Sequence, residues 1–255
     1  MKIAAVCVTW NRPKHLGRMI RCFEQQDYPN RELVILDDAD QYIVQADGRS
    51  TNTIGDRWKL FSCAMRYPSL GLKRNAATRL VPDEFDAIAV WDDDDLYMPW
   101  ALSATVAALQ KSPLSRPSLV LHPDKEGRLH QHRTDADGKD LGKYLFHSGW
   151  GYRKGAFSQV GGYPPIDNGE DQVLLREFDR LGIVSADPIA LGYKPFLVYP
   201  WETSEKQHIS GAGPNGYENF GRHAIERTDI RKWIDDPPID LCEWNIVLGI
   251  KKRKF

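Results

Sequence analysis

The sequence has few cysteines and no excess of either charge, and both features exclude classes of function. Only 4 of the 255 residues are cysteine, and no Cys-x-x-Cys pair occurs. The spacing therefore predicts neither a structural zinc site nor a disulfide framework. The formal net charge of −1 lacks the basic excess that a general nucleic-acid-binding protein would carry.

Long hydrophobic runs are also absent. No apolar stretch is long enough to cross a bilayer, and the chain enters a strand-like segment at Ile3 without the pattern of a signal peptide. We therefore expect a cytoplasmic protein. Its content of 42% hydrophobic and 27% charged residues fits one large globular domain or two small ones.

Apolar strands alternate with an amphipathic helix at the start of the chain. Residues 3–9 and 33–36 are short apolar runs of the kind that is buried on both faces of a parallel sheet. Between them, apolar residues recur with the spacing of one helical face: Leu16, Met19, Ile20 and Phe23. This order predicts a right-handed βαβ unit and hence an α/β fold. Ligands in such folds bind beyond the carboxyl ends of the strands.

Four consecutive aspartates follow another apolar run, residues 87–91. Carboxylate oxygens are suitable ligands for Mg²⁺, Mn²⁺ or Ca²⁺. If the strand continues through the acidic run, Asp92 and Asp94 share one face, and Asp93 and Asp95 share the other. The alternative for these four residues alone is a solvated acidic turn before the next helix.

Two further charged pairs lie near predicted helix starts. Lys73 and Arg74 fall in a first turn, where the helix dipole disfavours cations, so a bound anion such as a diphosphate is one explanation and an ordinary basic surface is the other. Glu170 and Asp171 open a later helix, whose face is predicted as Leu174, Phe178 and Leu181. The dipole favours carboxylates there, so helix capping alone could explain that acidic pair.

The distal half contains polar and basic segments with weaker signals. Residues 124–143 read as a surface hairpin, in which His130 and His132 could share a strand face and bind metal, although exposed histidines of this kind are usually inert. A short helical segment is predicted near 224–233. The basic tail at 251–254 is interpreted as solvated, with contact to phosphate-bearing lipid or nucleic acid as the weaker alternative.

Five motifs in order resemble the family 2 type glycosyltransferases with the GT-A fold. The motifs are Val8-Thr9-Trp10-Asn11-Arg12, Leu36-Asp37-Asp38, Lys73-Arg74-Asn75, Trp91-Asp92-Asp93-Asp94-Asp95, and Gly161-Gly162-Tyr163 followed by Gly169-Glu170-Asp171. The resemblance implies one Rossmann-like mixed sheet flanked by helices over residues 1–211. It places the nucleotide-sugar half at 1–98 and the acceptor half at 99–211. Residues 212–255 would form a C-terminal extension that carries the basic tail.

The resemblance also assigns the donor site. Asp38, with Asp37 as the alternative, would contact the uracil or ribose of a nucleotide sugar. Asp94, aided by Asp92, would hold Mn²⁺ or Mg²⁺ against the diphosphate, and His208 would be a further metal ligand. The remaining residues of the donor site would be Thr9, Asn11, Arg12, Lys73, Arg74, Asn75 and Asp93.

On the acceptor side, the resemblance makes Asp171 the general base, beside Glu170. One base and one in-line displacement would invert the configuration at the sugar carbon. Trp150 and Trp201 would stack on sugar rings, and burial in the core is the equal alternative for both.

The expected function is therefore metal-dependent, inverting transfer of a sugar from a UDP-sugar, or less favourably a GDP- or dTDP-sugar, to a hydroxyl group. A saccharide or lipid-linked saccharide is the favoured acceptor, with a hydroxylated nucleobase or a protein side chain as minority alternatives. A nucleotidyltransferase and a non-catalytic module that binds nucleotides or glycans are the competing hypotheses.

Overall fold

The computed structural model describes residues 1–40, 49–50, 57–123, 129–134, 146–199 and 223–226. Its strands are β1 (Ile3–Thr9), β2 (Arg31–Asp37), β3 (Arg49–Ser50), β4 (Trp58–Ser62), β5 (Ala87–Val90), β6 (Leu96–Tyr97), β7 (Leu114–Ser115), β8 (Leu119–Pro123), β9 (Leu129–Arg133), β10 (Gly151–Arg153), β11 (Ser185–Ala186), β12 (Leu197–Val198) and β13 (His223–Glu226). The helices are α1 (Pro13–Glu24), α2 (Leu70–Arg79), α3 (Ala101–Leu109), α4 (Lys154–Gln159) and α5 (Glu170–Arg180).

The larger sheet has a parallel centre. Its strand order is β11-β7-β10-β5-β1-β2-β4-β3. The four strands β5, β1, β2 and β4 run parallel, and β10 joins β5 in the antiparallel direction. Val6 on β1 pairs with Val34 on β2 and Val90 on β5. The predicted βαβ unit and α/β class are confirmed, and the parallel strands bring their carboxyl ends to one edge.

A smaller sheet has the order β13-β9-β8-β12-β6. Strands β8 and β9 form a hairpin, in which His122 pairs with His130. Of the hairpin predicted at residues 124–143, the structure describes only 129–134, which contain β9, so that prediction stays open. Strand β6 follows the four aspartates directly and pairs with β12. Ala224 lies on β13, beside β9, so the helical segment predicted near it is wrong at its start; residues 227–233 lie outside the described ranges.

The larger sheet separates two apolar cores because side chains alternate along its strands. Ala5 and Cys7 of β1 face one core, whereas Ala4 and Val6 face the other. The predicted face of α1 is fully buried in the first of these cores.

The face of α5 differs from the prediction at its last residue. Leu174 and Phe178 are buried, whereas Leu181 is 40% exposed. The helix ends at Arg180, and Gly182, with a φ of 69°, turns the chain away from that face.

The structure describes three of the four cysteines. Cys7 and Cys22 are buried and Cys63 is half-buried, and all three are free. Cys242 lies outside the described ranges. None of the helices in the described part of the chain is both long enough and apolar enough to span a membrane.

Candidate active site

The site begins where β1, β2 and β4 end. Asp37, the last residue of β2, is fully buried. Its carboxylate accepts hydrogen bonds from Ser62 Oγ (2.7 Å) and from the Ala39 backbone N–H (3.2 Å). Asp37 therefore shapes the turn that presents Asp38. Asp38 is buried as well, with 4% exposure, but its partner Arg66 has a side chain that is 57% exposed, so Asp38 is the carboxylate that can exchange a partner for a ligand.

Asp38 is surrounded by donors from the neighbouring elements. Its carboxylate accepts hydrogen bonds from Lys73 Nζ, from Arg66 (3.3 Å) and from the backbone N–H of Tyr67 (3.1 Å). Lys73 Nζ also donates to the carbonyl oxygen of Thr9 (2.6 Å), so one lysine joins the ends of β1 and β2. Burial lowers the pKa of Lys73, an effect that the Asp38 carboxylate opposes.

Arg66 and Tyr67 were not predicted as site residues, because residues 41–70 show no clear periodicity. Both residues follow β4, which is the parallel neighbour of β2, so the fold brings them to Asp38. The Arg66 guanidinium lies 4.2 Å from the centre of the Trp10 ring, which is 38% exposed. Asn11, the next residue, has a φ of 53°, a left-handed conformation that asparagine tolerates better than most residues.

The four aspartates occupy a turn. Strand β5 ends at Val90, and the Trp91 ring stacks on Tyr97 with centroids 3.6 Å apart. The Asp92 backbone N–H donates to the Tyr97 hydroxyl oxygen (2.7 Å), which closes the turn. Strand β5 therefore does not continue through the acidic run, and the four residues form the turn that the sequence left as the alternative, although two of their carboxylates are buried and not solvated.

Burial divides the four carboxylates into two pairs. Asp93 and Asp95 are buried, with 4% and 1% exposure. The side chains of Asp92 and Asp94 are 21% and 17% exposed. Thr9 Oγ1 donates to Asp93 (2.6 Å), and burial together with the Asp94 charge raises the pKa of Asp93 to about 6. Asp92 and Asp94 are thus the more exposed pair, which is the same pairing that alternation along a strand would give.

Two arginines connect this turn to other elements. Arg12 contacts Asp93 (3.1 Å) and Asp94 (2.9 Å). Arg74 contacts Asp92 (2.9 Å), and its Nε lies 3.3 Å from Glu170 Oε1. Arg74 therefore links the acidic turn to the start of α5.

These contacts also explain the cations on α2. The helix begins at Leu70, with Ser69 as its cap, so Lys73 and Arg74 are its fourth and fifth residues. Carboxylates of the site contact both cations, so a bound anion is not needed to explain their position.

Glu170 and Asp171 are the first two residues of α5. Glu170 is buried beside Arg74, and Asp171 is half-buried. The Gln172 backbone N–H donates to Asp171 Oδ1 (2.8 Å). Burial raises the pKa of both carboxyl groups, and Arg74 opposes this rise. A carboxylate with a raised pKa that is still partly open to solvent can accept a proton from a hydroxyl nucleophile.

The structure contradicts the sugar-stacking role of Trp150. Its ring is 2% exposed, with the Arg116 guanidinium 4.8 Å from its centre and the His147 ring at 5.1 Å. Such a ring has no face open to a sugar, so the alternative of core burial is correct. Trp201 and His208 lie outside the described ranges.

The side chains of the site supply only some of the ligands that a hard divalent cation needs. Nowhere in the described ranges do three or more His, Cys, Asp or Glu side chains form a group that could hold a metal ion. Asp92 and Asp94 supply carboxylate oxygens, the ligands that Mg²⁺ and Mn²⁺ prefer. Mg²⁺ is commonly held by one or two carboxylates together with substrate phosphates and water. The residues therefore fit a metal that arrives with a diphosphate, rather than one in a cage of protein ligands.

The strand ends, the acidic turn and the α5 acids define a GT-A type α/β fold with a polar site at its sheet edge. The sequence profile "Glycosyl transferase family 2" matches residues 5–161. The chain belongs to this family, and the predicted fold and enzyme class are thereby confirmed. No curated protein sequence matches the chain.

Solved structures with the same fold include complexes with UDP, UDP-GlcNAc or GDP-Man. S. aureus TarS 1–349 with UDP-GlcNAc has a TM-score of 0.61 at 16% identity, over 97% of this chain and 70% of that one. TarS 1–349 with UDP gives 0.57 at 16% identity, over 78% and 60%. The mannosyltransferase PcManGT from Pyrobaculum calidifontis, with GDP-Man and Mn²⁺, gives 0.54 at 17% identity, over 81% and 58%. At these identities the likeness concerns the fold, and the chain covers less than two thirds of two of these three structures.

Proposed function

We propose that the protein transfers a sugar from a nucleoside-diphosphate sugar, with UDP-sugars favoured, to a hydroxyl group of a saccharide acceptor. The observation that carries this proposal is the Arg74 bridge. It places the partly exposed carboxylate Asp92 and the α5 acids Glu170 and Asp171 at one sheet edge. A donor-side metal position and an acceptor-side base at one place are what a single-displacement transfer requires.

The residues then take distinct roles. Asp38, which directly follows β2, is proposed to bind the nucleoside. The nucleoside would replace Arg66 as a partner of the Asp38 carboxylate. Asp92 and Asp94 would hold Mn²⁺ or Mg²⁺ against the diphosphate; when bound, the metal supplies Lewis-acid stabilisation of the leaving group. Asp171 is proposed to accept the proton of the attacking hydroxyl, which approaches the sugar from the face opposite the diphosphate and inverts its configuration.

A panel of nucleotide sugars tests this proposal without a known acceptor. Thermal shift with UDP-, GDP- and dTDP-sugars, each with and without Mn²⁺, measures binding, and slow hydrolysis of the bound sugar measures chemistry. We expect stabilisation by UDP-sugars with Mn²⁺ and release of UDP. Release of pyrophosphate would instead identify a nucleotidyltransferase, and binding without turnover of any donor would favour a non-catalytic module.

A further inference from the structure

Residues 162–171 form an acid-bearing segment, so called because it includes Glu170 and Asp171. This segment is hydrogen-bonded to the start of α2. The Leu70 backbone N–H donates to Asp167 Oδ1 (2.9 Å). The Gly71 N–H donates to the carbonyl oxygen of Ile166 (3.1 Å). These two N–H groups lie in the first turn of the helix, where they have no partner within the helix itself. The acid-bearing segment thus supplies the partners that the helix start lacks.

Asn75 makes the most specific of these attachments. Its Oδ1 accepts from the Tyr163 backbone N–H (2.9 Å), and its Nδ2 donates to the Tyr163 carbonyl oxygen (2.8 Å). The side-chain amide therefore pairs with both backbone groups of one residue. A Cβ on Gly162 would lie 2.6 Å from Asn75 Oδ1, so the preceding residue has no space for a side chain. Alanine supplies neither hydrogen-bonding group, and aspartate lacks the donor.

Tyr163 is held at its other end as well. Its hydroxyl lies 3.0 Å from His147 Nε2 and 3.3 Å from the Tyr152 hydroxyl, and the residue is 4% exposed. Because both the ring and the backbone of Tyr163 are held, its position fixes where the chain that leads to α5 begins. Arg74, the neighbour of Asn75, holds Glu170 at the far end of the same segment.

We infer that Asn75 is a positioning residue for the acid-bearing segment, acting through Tyr163 on the placement of Asp171. The resemblance to glycosyltransferases instead assigns Asn75 to the donor site. Both hydrogen-bonding groups of its amide already bind protein backbone, which favours the positioning role. The role of Asp171 in this inference rests on the proposed function. The hydrogen bonds between Asn75 and Tyr163 do not depend on it.

Asn75→Ala separates the two roles. With UDP and Mn²⁺ in calorimetry, we expect the Kd to be unchanged. With a UDP-sugar and Mn²⁺, we expect kcat for hydrolysis to fall by about tenfold to a hundredfold, because a small displacement of a catalytic group is costly. The KM for the donor should stay the same. A raised Kd for UDP would assign Asn75 to the donor and overturn the inference.

Two further variants control for helix and fold effects. Arg79→Ala changes an exposed residue on the same helix and should leave both Kd and kcat unchanged. Asp167→Ala removes a second attachment of the same segment and should reproduce the loss in kcat without a change in Kd. If Asn75→Ala fails to fold, Asn75→Ser, which keeps one polar group, is measured in the same way.

Hydrogen exchange supplies a measurement that does not depend on the reaction. In Asn75→Ala we expect faster amide exchange in residues 162–171 and unchanged exchange in β1 and β2. Unchanged exchange in the segment would contradict the attachment even in an active enzyme. If the wild-type protein neither binds nor hydrolyses any donor, the proposed function fails, while the exchange result still decides the positioning role.

Discussion

Asp171 is the residue on which the proposed chemistry depends most. Asp171→Asn keeps the shape of the side chain and an oxygen that can accept from Gln172 N–H, but it removes the basic group. We expect hydrolysis and transfer to fall by about a hundredfold to ten-thousandfold, the usual contribution of a general base. Calorimetry should show unchanged UDP binding.

Asp179→Asn is the matched control, because Asp179 is an exposed carboxylate on the same helix. It should change neither activity nor binding. If Asp171→Asn weakens UDP binding as much as it lowers activity, Asp171 stabilises the start of α5 and is not the base.

His147 makes the stability of the protein depend on pH. Burial, with a further contribution from the Arg74 charge, lowers its pKa to about 3. Below its ordinary pKa of about 6.5, the unfolded chain binds a proton that the folded chain does not, so stability falls as pH falls. Between about pH 7 and about pH 5 this single group should cost roughly 2 kcal/mol.

His147→Gln tests this effect by urea unfolding across that pH range. Glutamine keeps an oxygen that can accept from the Tyr163 hydroxyl and does not titrate. The free energy of unfolding should therefore depend less steeply on pH in the variant than in the wild-type protein. Parallel curves for the two proteins would show that His147 titrates normally in the folded state.

At the scale of elements, the contact between α2 and the acid-bearing segment leaves no space for a side chain at Gly71. An added Cβ would overlap the carbonyl oxygen of Pro164, which is backbone and cannot rotate away. We expect Gly71→Ala to lower the free energy of unfolding by about 1–3 kcal/mol, as overpacking does. Urea unfolding measures the change.

Gly155→Ala is the matched helical control. A Cβ at Gly155, on α4, would have no heavy atom within 4 Å. This substitution should be neutral or stabilise the protein by up to about 1 kcal/mol, through helix propensity alone. If both variants behave alike, the close contact at Gly71 is absent in solution.

The elements themselves were largely predictable from local pattern. The strand–helix–strand order, the α1 face and the start of α5 all follow from periodicity and capping residues. An acidic turn was one of the two alternatives for the four aspartates, but its conformation was not predictable in this way. Its shape depends on Tyr97, whose hydroxyl accepts from Asp92 N–H and whose ring stacks on Trp91. The alternation of side chains along a strand cannot predict that interaction.

At the scale of the whole molecule, the site consists of contacts between distant parts of the chain. The order of the motifs along the chain predicted which residues form the site. Which of these residues contact each other could be learned only from the fold. Lys73 binds Asp38 and Arg74 joins Asp92 to Glu170, whereas the sequence left a bound diphosphate and an ordinary basic surface as the two explanations for these cations. Trp150 shows the same limit, because an aromatic residue in a loop gives no local sign of its burial.

We propose that the acidic turn anchors a metal and a nucleoside diphosphate together. The most direct measurement is calorimetry of UDP binding, with and without Mn²⁺, for the wild-type protein, Asp94→Asn and Asp95→Asn. Asp95 is the matched control, because it lies in the same turn but is only 1% exposed, whereas the Asp94 side chain is 17% exposed.

We predict that Mn²⁺ strengthens UDP binding by the wild-type protein and by Asp95→Asn, and that Asp94→Asn loses this gain. If UDP binds the wild-type protein equally well with and without Mn²⁺, or if Asp94→Asn keeps the full metal-dependent gain, the acidic turn does not hold the metal.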